Sequence, residues 1–432
     1  MKPLISRNDA VTLPQAALAR GAHAPSRVLP GALAGQGVSD ELRGQTPHPV
    51  CRAQRDSARA PNPAREGACA PRAGSASRST ASLRLSRSLL ALALLATARA
   101  AVAAPVDDAL GRAAQFLISQ QDPKGAIWEQ KAHLRNQTAM TALSVLALTA
   151  MGHQPGDPTP AGEAVRKGLA FVLLPENQDK DGYFGKDGSR MYGHGITTLM
   201  VSEMLGMGAD AKQDEQIRTS CRKGIELILR AQKVQKAEGA RGGWRYTPDS
   251  GDSDMSVTVW QTMALRAARN AGMDVPKEAI DDAVRYIKRC YDPGDTGKRA
   301  GPNGGGGFGY QNRGREISTT AEGLLALQVC GQYDSEEVVG ASDRLLKDGV
   351  KAGERWFFYA SYYYAQGMYQ RGGKYALEGK KTIPASLVPL QARDGSWDGI
   401  NGEERQGGKI YATCMAVLSL AVKNHYLPIY QR

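Results

Sequence analysis

The sequence predicts an all-α fold, an α/α toroid (an α6/α6 barrel) of six helical hairpins around a central cavity. From residue 107 onward one unit recurs, consisting of an amphipathic helix, a glycine–aromatic loop and a second helix. The second helices are apolar nearly all round, so they need burial on several sides. The first helices need burial on one side only. The two sets are therefore expected to form an inner and an outer ring.

Each inner helix carries a Thr or Ser that is followed seven positions later by Leu or Met. Six copies of this pattern fit, 41 to 62 residues apart, at Thr141, Thr198, Thr258, Thr320, Ser361 and Thr413. The variable spacing falls in the loops, and no alternation of period two predicts a competing strand. We expect these hydroxyl residues to start and cap the inner helices.

The toroid is expected to occupy residues 104–432, behind two N-terminal segments. Residues 1–83 are rich in Ala, Arg, Ser, Gly and Pro, which is typical of a disordered leader. Residues 84–103 begin with Arg84 and Arg87, continue with an apolar run and end in the small-x-small pattern Ala-Val-Ala, which is the layout of a secretory signal peptide. We therefore expect export to the periplasm or the extracellular space. Because a signal peptide ordinarily begins the chain, a translation start downstream of Met1 is the hypothesis that accompanies export, and an organelle transit peptide is the alternative.

The net charge of +12 does not predict nucleic-acid binding. Residues 1–103 hold 14 Lys and Arg against 5 Asp and Glu, a net of +9 that leaves about +3 for the rest. The apolar run is too short to cross a bilayer, so no transmembrane segment is expected in the mature chain. The four cysteines of the toroid are expected to be core residues.

The loops share a Gln or Gly at the start, one or more glycines and a closing aromatic residue. They span Gln121–Trp128, Gln178–Phe184, Gly242–Tyr246, Gly304–Tyr310 and Gln391–Trp397, and the unit around Trp356 lacks such a loop. These loops resemble the QW repeats of squalene cyclases and the related repeats of protein prenyltransferase β-subunits, over residues 107 to 425. The resemblance implies the same toroid and a hydrophobic ligand, such as an isoprenoid, in its cavity.

In such a toroid the inner helices run in one direction, so their positive N-terminal ends meet at one mouth of the ring. Residues just before the hydroxyl positions should line this mouth, which is where a site is expected. They are Arg135, Asn136, His194, Asp252, Asp254, Arg315, Glu316, Phe358, Tyr359, Lys409 and Tyr411.

The stretch from Gly242 to Leu265 carries the sharpest catalytic prediction. Squalene cyclases have an Asp-x-Asp-Asp run after a Gly-Gly-Trp loop, and the central Asp protonates an alkene. This chain has Asp252 and Asp254 after a Gly-Gly-Trp loop, with Met255 in place of the third Asp. The resemblance implies catalytic roles for Asp254 and Asp252. Capping of the next helix by Asp254 is the alternative.

Aromatic side chains near the loops are expected to bind the ligand. They are Trp244, Tyr246, Trp260, Phe308, Tyr310, Tyr359 and Tyr411. We expect no cofactor and no metal, because Ala412 stands where the zinc-binding stretch of prenyltransferases has His. The histidines at 133, 153, 194 and 425 also form no cluster in the sequence.

Three functions stay open at this point. The leading hypothesis is an exported terpenoid cyclase-like or prenyltransferase-like toroid, an isomerase or transferase on polyprenyl substrates if it is active. The alternatives are a carbohydrate-active lyase or hydrolase at the same mouth, and a non-catalytic interaction scaffold. A glycosidase needs a pair of carboxylates. The spacing selects no pair among Asp252, Asp254, Glu316, Asp398, Glu403 and Glu404.

Overall fold

The computed structural model describes residues 105–129, 136–294, 305–424 and 426–431. The predicted leader and signal peptide lie outside the described residues, as do Arg135, His133 and His425. None of the helices in the described ranges combines the length and the hydropathy that a membrane crossing needs.

The helices of the described ranges alternate between two rings. The outer ring contains α1 (residues 105–119), α3 (Pro160–Val172), α5 (Ala211–Gln232), α7 (Lys277–Arg289), α9 (Glu336–Asp348) and α11 (Gly373–Leu387). The inner ring contains α2 (Gln137–Ala150), α4 (Arg190–Glu203), α6 (Met255–Asn270), α8 (Ile317–Val329), α10 (Phe357–Arg371) and α13 (Gly408–Leu420). A short helix, α12 (Gly402–Arg405), precedes α13, and the strands β1 (Tyr291–Asp292) and β2 (Gly307–Phe308) pair antiparallel.

Burial follows the predicted difference between the rings. Every residue of α2 from Thr138 to Ala150 is buried, whereas α7 buries residues at steps of one to four, such as Ala279, Ala283 and Ile287. Consecutive inner helices pack against one another, and α13 packs against α2. The ring is thus closed, and the predicted α/α toroid of six hairpins is confirmed.

The glutamines of the loops join neighbouring hairpins. Gln121 Nε2 donates to the carbonyl of Gly125, in its own loop, and to the carbonyl of Ala164, in the next outer helix, at 3.0 and 2.9 Å. Gly125 has a φ of +96°, and a Cβ there would lie 2.5 Å from the carbonyl oxygen of Lys167. Glycine is therefore required where the loop meets the next helix.

The same pair of bonds closes the ring. Gln391 Nε2 donates to Gly395 O at 2.9 Å and to Ala109 O of α1 at 2.8 Å. The last hairpin is thereby hydrogen-bonded to the first in the same way that Gln121 bonds the first hairpin to the second.

The expectation that the hydroxyl residues start the inner helices is wrong. Thr141 is the fifth residue of α2 and Thr258 the fourth of α6. Their hydroxyls accept the backbone N–H of the loop residues Ile127 and Trp244, at 2.9 and 3.0 Å. A hydroxyl one turn inside the helix satisfies a buried loop N–H, because no backbone partner is available there.

The expected central cavity is largely filled by aromatic side chains. Tyr192 of α4 and Tyr359 of α10 have ring centroids 6.4 Å apart, although α4 and α10 are not neighbours in the ring. Trp260 of α6 likewise stacks on Tyr362 of α10 at 5.8 Å. These contacts cross the lumen, so open space is displaced toward the mouth.

Candidate functional site

A pocket with a cavity volume of about 370 Å³ opens at the N-terminal ends of α6, α8 and α10. It lies at the mouth where the sequence predicts a site. Its aromatic walls are Tyr192, Tyr310, Trp356 and Tyr359, and its charged residues are Arg315, Glu316, Glu322, Glu354 and Arg355. The pocket therefore combines flat apolar surfaces with several ionisable groups.

Glu322 is the buried carboxyl group of this pocket. It lies on α8 with 1% of its surface exposed, and its Oε2 has no hydrogen-bond partner among the described residues. Burial, and next the charge of Asp254, raise the pKa of Glu322 well above its ordinary value, and the nearby Tyr359 hydroxyl opposes this shift. Burial thus favours the protonated form of Glu322, which can donate a proton.

Two further carboxylates of the pocket face solvent. Glu316 immediately precedes α8 and is exposed, and the Thr319 hydroxyl donates to its Oε2 at 3.4 Å. Glu354, in the loop before α10, is half-buried. One neutral buried carboxyl and exposed carboxylates in a single pocket give it the groups of a general acid and a general base.

Asp254 caps α6. Its Oδ1 accepts the N–H of Val257 at 2.9 Å and the hydroxyl of Ser256 at 2.8 Å, and its Oδ2 lies 3.5 Å from Arg245 Nε. Burial raises the pKa of Asp254 to about 6, against the opposing effects of the Val257 N–H and Arg245. Asp254 is not among the residues that line the pocket.

Asp252 is exposed and belongs to the same charge cluster. Its Oδ2 lies 3.5 Å from Arg245 Nη1, and the Arg245 guanidinium also lies 4.8 Å from the ring centroid of Tyr246. Asp252, Asp254 and Tyr246 therefore hold Arg245 in place. The catalytic roles of Asp254 and Asp252 stay predictions, since none of these contacts tests them.

Two of the aromatic residues predicted to bind the ligand, Tyr310 and Tyr359, line the pocket. The others lie elsewhere: Trp244, Tyr246, Trp260, Phe308 and Tyr411. Trp244 has a structural partner, since its Nε1 donates to Ile228 O at 2.8 Å. Tyr246 reaches the site only indirectly, because its hydroxyl bonds to that of Tyr310.

The remaining predicted mouth residues are mostly structural. His194 is buried within α4, where its Nδ1 accepts the N–H of Phe184 and its Nε2 donates to Gly224 O at 3.1 Å. Burial lowers the pKa of His194 to about 4, so it is neutral. Glu404 is also buried, and its Oε1 accepts the N–H of Phe358 at 2.8 Å, at the start of α10.

Asn136 is buried beside the start of α2, and Lys409 pairs with Asp394 at 3.0 Å. Asp398 is exposed, and the side chain of Glu403 lies outside the described part. Among the described residues, no three His, Cys, Asp or Glu side chains gather in a way that could hold a metal ion.

Sequence reasoning missed Glu322 and Glu354. A signal for Glu322 exists, since it is the only charged residue in the α8 sequence ISTTAEGLLALQV. An acid in a helix that is otherwise buried on all sides is costly unless it is paired or neutral. Glu354 lies in a polar loop and has no comparable signal.

Comparison with known proteins gives a fold and no family. No family profile matches the chain, and no curated protein is found as a relative. Solved structures of the α-1,6-mannanase of glycoside hydrolase family 76 from a Salegentibacter species are similar in fold. The inactive variant with mannotetrose covers 74% of this chain and 99% of its own at 10% identity, with a TM-score of 0.53. The variant with mannotriose covers 73% and 99% at 12% identity, with a TM-score of 0.52.

This comparison corrects the resemblance drawn from the loops. Structures similar to this chain include family 76 mannanases, and the identification with squalene cyclases and prenyltransferases is wrong. The physical reason is that the glycine–aromatic loops bond one hairpin to the next, as Gln121 and Gly125 show. Such loops indicate that a toroid is closed, and they do not indicate which ligand it binds.

Proposed function

We propose that this chain is a carbohydrate-active enzyme, a glycoside hydrolase that works in the mouth pocket. The observation that carries the proposal is Glu322, a neutral buried carboxyl group with an unpartnered oxygen in the pocket wall. A glycosidase needs one carboxylic acid that keeps its proton and a second carboxylate that acts on the other side of the bond. The fold similarity to family 76 mannanases supports this class of enzyme.

In the proposed reaction, Glu322 donates its proton to the glycosidic oxygen, and the bond between that oxygen and the anomeric carbon breaks. Glu316 removes a proton from a water molecule, whose oxygen forms the new bond to the anomeric carbon. Six helical positions separate the two residues, so their Cα atoms lie about 9 Å apart along the α8 axis. An inverting mechanism needs about 6.5–9.5 Å between the two carboxyl groups, which leaves room for the attacking water.

The flat walls of the pocket suit a sugar ring. Trp356 and Tyr310 offer apolar faces, while the Tyr359 hydroxyl has no hydrogen-bond partner in the described part of the chain. Ligand pockets commonly combine apolar surface with a few polar groups that fix orientation. A polyhydroxylated ligand would satisfy the polar groups that are otherwise left without partners.

The carboxylates of the mannanase cannot be transferred by sequence. Its inactive variants are substituted at two adjacent aspartates. In the described part of this chain, the adjacent aspartates are Asp107–Asp108 on α1 and Asp281–Asp282 on α7, both on outer helices. We therefore infer that Glu322 and Glu316 act here in place of such a pair.

Release of reducing ends from a panel of neutral and acidic oligosaccharides tests the proposal. Glu322→Gln should lower the rate by about 10²- to 10⁴-fold without loss of stability, because it removes the acid and keeps the shape. Glu203→Gln is the matched control. Glu203 is a buried carboxyl at the far end of α4, with a pKa raised by burial to about 8, and it does not line the pocket.

Hydrolysis that survives Glu322→Gln, or that Glu203→Gln lowers equally, would contradict the assignment. Substrates with a nitrophenolate leaving group need little protonation, so Glu322→Gln should retain most activity on them. If no oligosaccharide of the panel is cleaved or bound, the third function, a non-catalytic scaffold, becomes the better account.

We further infer that the protein is exported, from the sequence pattern of residues 84–103. Export suits an enzyme that acts on polymers outside the cell. Mass spectrometry of the mature protein should find an N-terminus near residue 104, and a chain that still begins at Met1 would overturn the inference.

A further inference from the structure

The mouth pocket becomes more buried from its rim to its floor. Arg315, Glu316 and Arg355 at the rim are exposed, and the next residues of α8, Ile317 and Ser318, are half-buried. The floor consists of side chains that are almost fully buried, and they are Tyr192, Thr319, Glu322, Tyr359 and Ala360. The pocket is therefore a recess, and the proposed acid Glu322 lies in its floor.

The lumen beneath this floor is filled. Tyr359 contacts Tyr192 across the ring, with 6.4 Å between the ring centroids, and packs on Tyr363 at 4.8 Å. About one helical turn further along α10, Tyr362 stacks on Trp260 at 5.8 Å. A glycan chain that enters the pocket cannot continue through the ring, because these side chains occupy its path.

The C-terminal segment fills the opposite end of the lumen. Tyr430 is 4% exposed, its hydroxyl is hydrogen-bonded to that of Tyr362, and its carbonyl accepts Gln370 Nε2 at 2.8 Å. The N–H of Ile429 donates to Glu203, the last residue of α4, at 3.3 Å. The lumen is thus occupied from the pocket floor to the far end of the inner helices, and a substrate must enter and leave at the mouth.

The size of the recess limits what can reach the acid. Its volume of about 370 Å³ lies at the lower end of the range for ligand pockets and suits about one or two sugar rings. Glu322 Oε2 is buried, so a glycosidic oxygen must enter the recess to receive its proton. An internal linkage carries a chain on both sides, and both chains would have to enter the same small space. A linkage next to a chain end carries only one or two sugars on one side, and it can enter.

We propose that the enzyme acts on the ends of glycan chains and releases one or two sugar units at each cleavage. The proposal rests on the proposed function, and it specifies the substrate class and the position of the bond that is cleaved. The reaction is the hydrolysis described above, with water as the second reactant.

Hexasaccharides with blocked ends test the proposal on the full chain. α-1,6-Mannohexaose, cellohexaose and hexagalacturonate are each prepared with a pyrene fluorophore at the reducing end, with a naphthylmethyl ether at the opposite end, or with both. We expect cleavage of one singly blocked form at the first or second linkage from its free end, and this form identifies the end that enters. Blocking both ends should lower the rate at least about 10²-fold. Internal fragments as the first products, or equal rates on the doubly blocked chain, would overturn the proposal.

Chain length gives a second readout that needs no cleavage. Calorimetric titration of Glu322→Gln should give affinities for the trisaccharide and the hexasaccharide of one series that agree within about threefold, because units beyond the second lie outside the pocket. An open cleft would contact each added unit. A hexasaccharide that binds more tightly than this limit would therefore contradict the proposal.

Ser318→Tyr places a ring in the entrance, and Ser386→Tyr on the outer helix α11 is its matched control. Both serines are half-buried, and only Ser318 lines the pocket. Ser318→Tyr should lower the affinity for chain ends at least about tenfold, whereas Ser386→Tyr should bind like the wild type. Thermal unfolding verifies that both variants are folded. Full affinity in a folded Ser318→Tyr would mean that chain ends bind elsewhere, and it would overturn the proposal.

Chain-end binding and hydrolysis can fail separately. If a hexasaccharide binds by its free end and is not cleaved, the chain-end specificity stands and the hydrolase assignment fails. If a doubly blocked hexasaccharide is cleaved as fast as a free one, the hydrolase assignment stands and the chain-end specificity is wrong. If none of the three hexasaccharides binds or is cleaved, both proposals are wrong.

Discussion

The starts of α6 and α8 are neighbours in the ring, and each presents a buried acid. Asp254 at α6 accepts an N–H and a hydroxyl and pairs with Arg245, whereas Glu322 in α8 leaves Oε2 without a partner in the described chain. Asp254 Oδ2 also lacks a hydrogen-bond partner in the described chain, but it lies 3.5 Å from Arg245 Nε, whereas Glu322 lies in the wall of the pocket. A buried carboxyl that caps a helix and pairs with a cation indicates a structural role, whereas one with an unpartnered oxygen in a pocket wall indicates a site.

The largest expected effect is on activity, which should depend on the acid at the start of α8 and not on those at the start of α6. Glu316→Gln should lower glycan hydrolysis by about 10³-fold, because it removes the group that activates water, and added azide should restore turnover as a glycosyl azide. Asp252→Asn at the α6 start should leave the rate unchanged. A rate that falls for Asp252→Asn and not for Glu316→Gln would reverse the assignment.

The free energy of unfolding, in contrast, should depend on the acid that caps α6. Asp254→Ala removes a helix cap and leaves the partly buried Arg245 without one of its partners, so we expect a loss of about 3 kcal/mol in the free energy of unfolding. Denaturant unfolding measures this loss, and kcat of the folded fraction should be unchanged. A kcat that collapses at full stability would instead support the catalytic role that the sequence predicts for Asp254.

The pH dependence of stability gives a third contrast. The pKa of Asp254, raised by burial to about 6, exceeds its ordinary value of 3.8. Between these values the folded chain binds more protons at this site than the unfolded chain, so stability falls as pH rises. Asp254→Asn cannot titrate. Its stability relative to wild type should therefore improve by about 2–3 kcal/mol between acidic and neutral pH, and a constant difference across this range would contradict the shift.

The smallest expected effect concerns the tyrosines. Tyr359→Phe removes an unpartnered hydroxyl from the pocket wall and should weaken saccharide binding by about 1 kcal/mol, or roughly fivefold. Tyr246→Phe breaks only its bond to Tyr310 and should reduce stability by a similar amount with unchanged affinity. Calorimetry and thermal unfolding distinguish the two results.

The toroid could be predicted from the sequence because its repeated contacts are local signals. Gln121 and Gly125 stand four residues apart in one loop, and the burial of α2 is visible in its composition. The filled lumen could not be predicted in the same way. It depends on side chains such as Tyr192 and Tyr359, which meet across the ring from distant parts of the chain.

The sequence predicts a site at the mouth where the pocket lies, but it points to the start of α6 and not to the neighbouring α8. The aspartates of the turn-rich loop before α6 stand in a polar sequence that is typical of a site, so the sequence favours Asp254. Glu322 stands inside an apolar helix, where the sequence indicates a core position. Whether a buried acid has partners depends on tertiary contacts such as that of Asp254 with Arg245. The family prediction was also wrong, because the loop pattern on which it was based stabilises the closed ring.

The bond from Gln391 to Ala109 also has a consequence for folding. An open array of repeats has end units that can fray while the middle stays folded. Here each hairpin has a neighbour on both sides, since the sixth contacts the first. Melting any hairpin must break two interfaces at once, so thermal unfolding should occur as one sharp transition in which all units are lost together.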